Sequence, residues 1–214
     1  MSRRCLVEGG RQHPPHQSRK ARFYLAETRS HLQQFTTAEG SRVILRSVKI
    51  NDADSLLHFI NSLVREKGRD QDSMLYGGFD RKVSRKKESE WLAGTLEAIK
   101  RGEVINVVAE IEGKIIANGE VTRGRYDDTR HHGQLGLTMI GRYRGHGIGR
   151  KMIETLVRES RRAGLRSLEV EFLAQNRAAR RAYEREGFRR AGLIPRKIFR
   201  NGKYLDGLIM TRKL

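Results

Sequence analysis

The chain has 214 residues, with 44 Lys+Arg against 25 Asp+Glu, a formal net charge of +19 and a single cysteine, Cys5. That length suits one domain of ordinary size plus an appendage. One cysteine excludes an internal disulfide and a cysteine-based metal cluster, and the absence of a run of about 18 apolar residues excludes a transmembrane helix. The positive balance favours polyanions: nucleic acid, ribosome, membrane surface or a multiply phosphorylated cofactor. Its cations are spread along the whole chain, however, which speaks against a dedicated nucleic-acid patch and fits a solvated Arg-rich surface equally well.

Residues 1–40 stand apart. They contain Pro14-Pro15 and few aliphatics, and no apolar stretch follows the early arginines, so a secretory signal is not expected. This segment reads as a basic extension, either a tail without a core of its own or a basic helix over residues 19–35. The folded domain is predicted to start at Ser41 and to run to residue 214. Residues 42–49 alternate as a strand. Asn51 or Asp52 can cap a helix carrying Leu56, Leu57, Ile60, Leu63 and Val64 at helical spacing. A loop is predicted over residues 68–79. Ser84 then caps a second helix that carries Trp91, Leu92, Thr95, Leu96 and Ile99.

Residues 104–110 and 114–122 form a predicted hairpin around Glu112-Gly113. Residues 134–140 read as a strand. Residues 148–163 read as a helix with Ile148, Met152, Ile153, Leu156 and Val157 inward, ended by Gly164. A strand over 168–173 precedes a helix over 176–186 that Gly187 closes, with Phe188 packing back. Residues 198–200 and 204–210, joined through Asn201-Gly202, form a last hairpin. Seven strands and four helices in the order β-α-α-β-β-β-α-β-α-β-β describe one α+β domain.

The chemistry concentrates in residues 134–188. An apolar strand runs into Arg144-Gly145-His146-Gly147-Ile148-Gly149, and a helix follows. Glycines at a helix start expose backbone N–H donors where the helix dipole favours anions, an arrangement that can hold a pyrophosphate. A Walker loop would need Gly-Lys-Ser/Thr, which is absent, and a dinucleotide fingerprint starting at Gly145 would need Gly or Ala at Arg150. Asn176 and Tyr183 are seven residues apart, close to two helical turns, and so share one side of their helix. Asn176 also serves as a plain N-cap. His131-His132 cannot readily share one ligand, because adjacent strand residues point to opposite faces.

Arg144-x-x-Gly147-x-Gly149, joined to Asn176-x-x-Ala179-x-x-x-Tyr183-Glu184-x-x-Gly187-Phe188, resembles the GCN5-related N-acetyltransferase superfamily over residues 41–214. The tail Gly202-Lys203-Tyr204-Leu205-Asp206 with Met210 resembles the closing strands of members acting on amines or amino acids. This likeness implies a twisted, mixed but mostly antiparallel sheet of about seven strands flanked by about four helices. It implies acetyl-CoA as donor, no metal, and direct transfer to an amine. Backbone amides of Arg144, Gly145, His146, Gly147, Ile148, Gly149 and Arg150 would wrap the pyrophosphate, with Arg144, Arg150 and Lys151 adding positive potential. Met139 and Ile140 would offer main-chain groups to the pantetheine arm, and Asn176 and Ala179 would line it.

Tyr183 would protonate the leaving thiolate, alongside the plainer reading of a packed helix tyrosine. An amine attacks only when neutral. Deprotonating a lysine-like amine at pH 7 costs roughly 4.6 kcal/mol, and an α-amine about 1.4 kcal/mol, so a side-chain amine needs a proton acceptor more urgently. Glu171 is the first candidate, five residues before Asn176 where several family members place a catalytic glutamate. Glu169 shares its face, and Glu120 is the third candidate; all three could instead pair with surface cations. The first two helices and residues 68–83 would shape the acceptor pocket. Expected acceptors are a protein N-terminus or lysine, or a small amine or amino acid, in the cytoplasm; no membrane partner is expected, and a homodimer or a nucleic-acid contact is compatible with the residues. The alternative is a basic ribosome- or nucleic-acid-binding module on a degenerate transferase fold.

Overall fold

The computed structural model describes residues 31–70, 73–75, 77 and 80–214. The helix expected over residues 19–35 falls mostly outside the described residues, as does part of the loop expected over 68–79. The elements are β1 (Gln33–Thr36), β2 (Arg42–Arg46), α1 (Ala53–Arg69), α2 (Arg85–Lys100), β3 (Val104–Ile111), β4 (Lys114–Arg123), β5 (His132–Met139), α3 (Ile148–Arg162), β6 (Ser167–Leu173), α4 (Arg177–Arg185), β7 (Arg189–Arg200) and β8 (Lys203–Lys213). They form one eight-stranded sheet in the order β1-β2-β3-β4-β5-β6-β8-β7. Among the described residues only β5 and β6 pair in parallel; every other neighbour is antiparallel. The mixed, mostly antiparallel α+β architecture is as expected, with one strand more.

That extra strand is β1, upstream of Ser41. Its four residues alternate too briefly with polar neighbours to stand out in sequence. Tertiary contacts fix it: Leu32 and Phe35 pack on the core, and the Thr155 hydroxyl donates to Gln33 Oε1 at 3.0 Å. β7 begins at Arg189 and not near Ile198. Register breaks between Arg190 and Gly192 and between Ile194 and Ile198 interrupt its alternation, so only the end reads as a strand. Both predicted two-residue hairpin loops are present. Glu112 and Gly113 have φ of 49° and 74°, and Asn201 and Gly202 have φ of 49° and 72°, the double left-handed geometry that suits a right-twisted hairpin.

The sheet separates two cores. On one face, α3 lays Ile148, Met152, Ile153, Leu156 and Val157 against Val107, Ala109, Leu135, Leu168 and Val170. On the other, α1 and α2 set Leu56, Phe59, Leu63 and Leu92 against Val108 and Ile115. Each large side chain buried this way contributes about 1.5–3 kcal/mol. On α2 the inward stripe runs through Glu88, Leu92 and Thr95, which leaves Trp91 36% exposed, outside the stripe on which the sequence placed it. An ion network closes the far end of the sheet: Arg46 reaches Asp52 at 2.7 Å and Glu110 at 2.6 Å.

The parallel ladder of β5 and β6 ends at Leu135 and Val170, yet the strands run on to Met139 and Leu173. The sheet therefore splits, and the split opens toward the N-terminus of α3.

Candidate active site

At the mouth of the split, Gly145 and Gly147 adopt φ of 88° and 78°, a left-handed geometry that favours glycine. Gly147 is the N-cap of α3, and the first intrahelical bond runs from Lys151 N–H to the Gly147 carbonyl. The amides of Ile148, Gly149 and Arg150 therefore have no carbonyl partner inside the helix. Gly149 has ordinary backbone geometry, and a Cβ built there would stand 3.7 Å from Met139 Cε. Glycine there leaves the approach to these amides open. An oxyanion fits this cradle without any side chain taking part.

The basic side chains of the loop are employed elsewhere. Arg144 donates to the Met139 carbonyl at 2.8 Å and pairs with Glu66 of α1 at 2.5 Å, while Glu66 also accepts the Gly141 N–H at 2.8 Å. Arg144 thus fastens the loop to α1 and does not lend its charge to the cradle. His146 Nδ1 sits 2.8 Å from Glu39 in the turn after β1, and this hydrogen bond holds the Glu39 carboxyl below its usual range. Arg150 pairs with Glu186 at 3.1 Å, and Lys151 with Glu154 at 3.1 Å.

The main chain of β5 supplies a second row of groups. Ile140 N–H donates to the Ile116 carbonyl of β4. By antiparallel alternation, Thr138 and Gly136 also bond toward β4, whereas Leu137 and Met139 direct their peptide groups into the split. Of the two residues expected to meet a pantetheine arm, Met139 faces the split and Ile140 N–H is bonded to β4. Leu137 joins Met139 in facing the split. A strand pattern carries no sign of where its ladder stops, so this residue was not legible beforehand.

Behind the split, Asn176 caps α4 by accepting the Ala179 N–H at 3.0 Å. The cap occupies its carbonyl oxygen and leaves its amide hydrogens for a ligand. Tyr183 is 5% exposed; its ring stacks on Phe172 of β6 at 5.4 Å and meets Phe188 edge-on at 5.3 Å. Burial pushes its phenol well above the ordinary value, so it stays protonated at neutral pH. Both readings of Tyr183 are compatible with this placement: it is a packed core residue, and it is a held proton on the α3 side of the split.

The carboxylates lie on the opposite face, with α1 and α2. Glu120 of β4 is cross-strand partner to Gly136 of β5. Asn106 donates to Glu120 at 3.2 Å and to Asn118 at 2.8 Å, and its own carbonyl oxygen is fixed by the Val48 N–H. Burial raises the Glu120 carboxyl above its usual range, with the two asparagines offsetting part of the shift. A Cβ on Gly136 would meet nothing within 4 Å, so the space beside Glu120 is open. Glu169 is level with Gln134 of β5, and Glu171 stands beyond the last paired residue of β6. Glu171 is held by Lys197 of β7 at 2.6 Å, the cation pairing weighed for all three carboxylates.

A cavity of about 410 Å³ opens nearby between α1 and the end of β5, with Glu66, Ile140 and Gly141 in its wall. His132 bonds to Ser167 at 2.9 Å, away from the split, and the described residues hold no group of His, Cys, Asp or Glu able to bind a metal. No helix among them is long and apolar enough to cross a membrane.

Solved structures share this fold. An acetyltransferase of the GNAT family from Streptococcus pneumoniae superposes with a TM-score of 0.70 at 22% identity, covering 80% of this chain and 99% of its own. Ribosomal-protein-alanine N-acetyltransferase from Brucella melitensis gives 0.67 at 24% identity, with 79% and 99% covered. The protein yncA from Salmonella typhimurium, solved with its cofactor acetyl-CoA, gives 0.67 at 22% identity, with 80% and 94% covered. No curated protein matches the chain. Residues 71–188, more than half of the sequence and the whole span from α2 to Phe188, match the Acetyltransferase (GNAT) family, and the chain belongs to that family of N-acetyltransferases.

Proposed function

We propose that the protein binds acetyl-CoA in the split between β5 and β6 and transfers its acetyl group directly to a primary amine. The observation that carries this reading is the split itself. It joins the unpaired amides of α3 on one face of the sheet to a half-buried carboxylate on the other. The coenzyme would supply a thioester carbonyl, activated toward nucleophiles and carrying a good leaving group.

The residues divide the work. Ile148, Gly149 and Arg150 amides hold the diphosphate, with Gly145 and Gly147 shaping the loop. Leu137 and Met139 direct main-chain groups at the pantetheine arm, and Asn176 contributes its amide hydrogens. The amine enters from the α1–α2 face. There Glu120 accepts its proton, directly or through a water, because burial has moved that carboxyl toward the working pH where a general base is most effective. Glu120 thereby ranks ahead of Glu171, which Lys197 neutralises, and of Glu169. Tyr183 gives its proton to the departing sulfur.

The acceptor is a protein N-terminus or lysine, or a small amine or amino acid. Ribosomal-protein acetyltransferases among the similar structures support the protein arm. The carboxylates Glu120 and Glu169 on one face make a locally acidic approach that suits a cationic amine despite the basic surface. The test is a screen of primary amines, peptides included, with thiol release as readout. Release dependent on one acceptor class supports the reading. A chain that binds RNA but neither binds acetyl-CoA nor releases thiol would instead be a binding module on this fold.

A further inference from the structure

We propose that Lys197 is a site of self-acetylation, its side-chain amine serving as an internal acceptor; the inference rests on the function proposed above. Lys197 Nζ lies 2.6 Å from Glu171 Oε2, with the two side chains 33% and 11% exposed. Glu171 stands on β6 just past Val170, the last residue paired with β5, so it borders the split on the face from which the amine enters. An amine and a carboxylate therefore meet where acceptor and base are expected to meet.

The chain is built to place that amine. The register of β7 breaks between Ile194 and Ile198, and Arg196 within the break adopts a φ of 55°, a left-handed geometry that a residue with a side chain seldom takes. Two contacts hold it there: its N–H donates to Asp206 Oδ1 at 2.8 Å, and its guanidinium lies 4.0 Å over the Tyr204 ring. The next residue, Lys197, is thereby turned toward β6. Gly207 lies beneath it on β8. A Cβ at Gly207 would come within 2.9 Å of Glu171 Oε1 and 3.3 Å of Lys197 Cδ, so the pair needs glycine at that point. Among the described residues, the other lysines in ion pairs, Lys67 with Asp80, Lys100 with Glu97 and Lys151 with Glu154, reach carboxylates that lie on neither β5 nor β6.

The chemistry balances with the coenzyme as sole co-reactant. Glu171 takes a proton from the Lys197 ammonium. The neutral nitrogen attacks the thioester carbonyl, the N–C amide bond forms and the C–S bond breaks. The thiolate leaves as coenzyme A thiol with the Tyr183 proton, and the proton shed by the acylated nitrogen restores Tyr183. The product amide carries no charge, so its ion pair with Glu171 is lost, and Glu171 returns to an anion by giving the proton it took to solvent. Cationic acceptors should then bind more tightly.

The test incubates the full chain with acetyl-CoA and no external amine and follows each lysine by peptide mass spectrometry. Lys197 should be acetylated about tenfold or more faster than exposed Lys86 and Lys87, as proximity to a bound donor requires. Gly149→Val should reduce Lys197 labelling to the level of those two. Lys197→Arg should abolish the signal while keeping acetyl-CoA affinity. Labelling of Lys197 no faster than that of Lys86 and Lys87, or unaffected by Gly149→Val, overturns the proposal if the same sample binds acetyl-CoA and releases thiol with an added amine. A sample that does neither overturns the underlying function as well.

Discussion

The two faces of the sheet are built on different principles. On the α3 side, the proposed donor site is main chain: orphan amides at a helix start, two left-handed glycines and a strand edge released from its ladder. Its basic side chains are tied to Glu66, Glu39, Glu186 and Glu154 and act as struts. On the α1–α2 side, the proposed acceptor site is made of side chains: Glu120 held by Asn106, and Glu171 held by Lys197. The contrast shows where sequence variation would act. Main-chain recognition tolerates substitution of any residue but the glycines, and so serves a donor common to many acceptors. Side-chain recognition changes with each residue and sets which amine is taken.

Breaking the side-chain face should have the largest effect. Glu120→Gln removes the proposed proton acceptor and keeps its hydrogen-bonding shape. It should lower kcat/KM about 10³-fold. The sign of its pH dependence follows from the raised carboxyl. As pH rises above the ordinary carboxylate range, Glu120 still holds its proton in the fold, so activity should climb only above that range, and the climb should vanish in Glu120→Gln. Stability runs the other way. The protonated form is the one the fold favours, so its contribution is complete below the unfolded value and is lost as pH rises through the folded one. Glu120→Gln should therefore raise the Tm at neutral pH while activity falls. A variant both less active and less stable would place Glu120 in the scaffold alone.

On the other face, Tyr183→Phe should lower turnover about tenfold, less than is typical of a general acid because burial makes its phenol a weaker donor. Acetyl-CoA affinity should hold, since the ring packing on Phe172 and Phe188 is retained. An unchanged rate would leave Tyr183 as a core residue only. The smallest effect is expected at Glu88, whose carboxyl burial also raises. Glu88→Gln should raise the Tm at neutral pH and leave kcat/KM within twofold, separating the cost of a buried carboxylate from its use. Loss of activity there would extend the acceptor site onto α2.

The same contrast governs how much could be read in advance. The glycine cradle, the Asn176 cap and the helix carrying Tyr183 were legible, because backbone geometry writes itself into glycine spacing and helical period. So were the hairpin loops, which need left-handed residues at fixed offsets. The split was not, because it depends on where two distant strands part company. Choosing among Glu120, Glu169 and Glu171 was not legible either: burial and the Lys197 partner arise only when β4, β6 and β7 meet. Arg144 was expected to add charge to the cradle, but Glu66, far away in sequence, draws it to α1. β1 was missed for the same reason, its stability coming from α3 and the core.

The most direct test compares acetyl-CoA affinity by calorimetry in the unaltered chain, Gly149→Val and Arg150→Ala. If main-chain donors hold the diphosphate, the unaltered chain binds, Gly149→Val loses about 10²-fold with its circular dichroism intact, and Arg150→Ala loses less than about threefold, as an exposed ion pair predicts. Normal affinity in Gly149→Val together with loss in Arg150→Ala would contradict the cradle and shift recognition to the basic side chains.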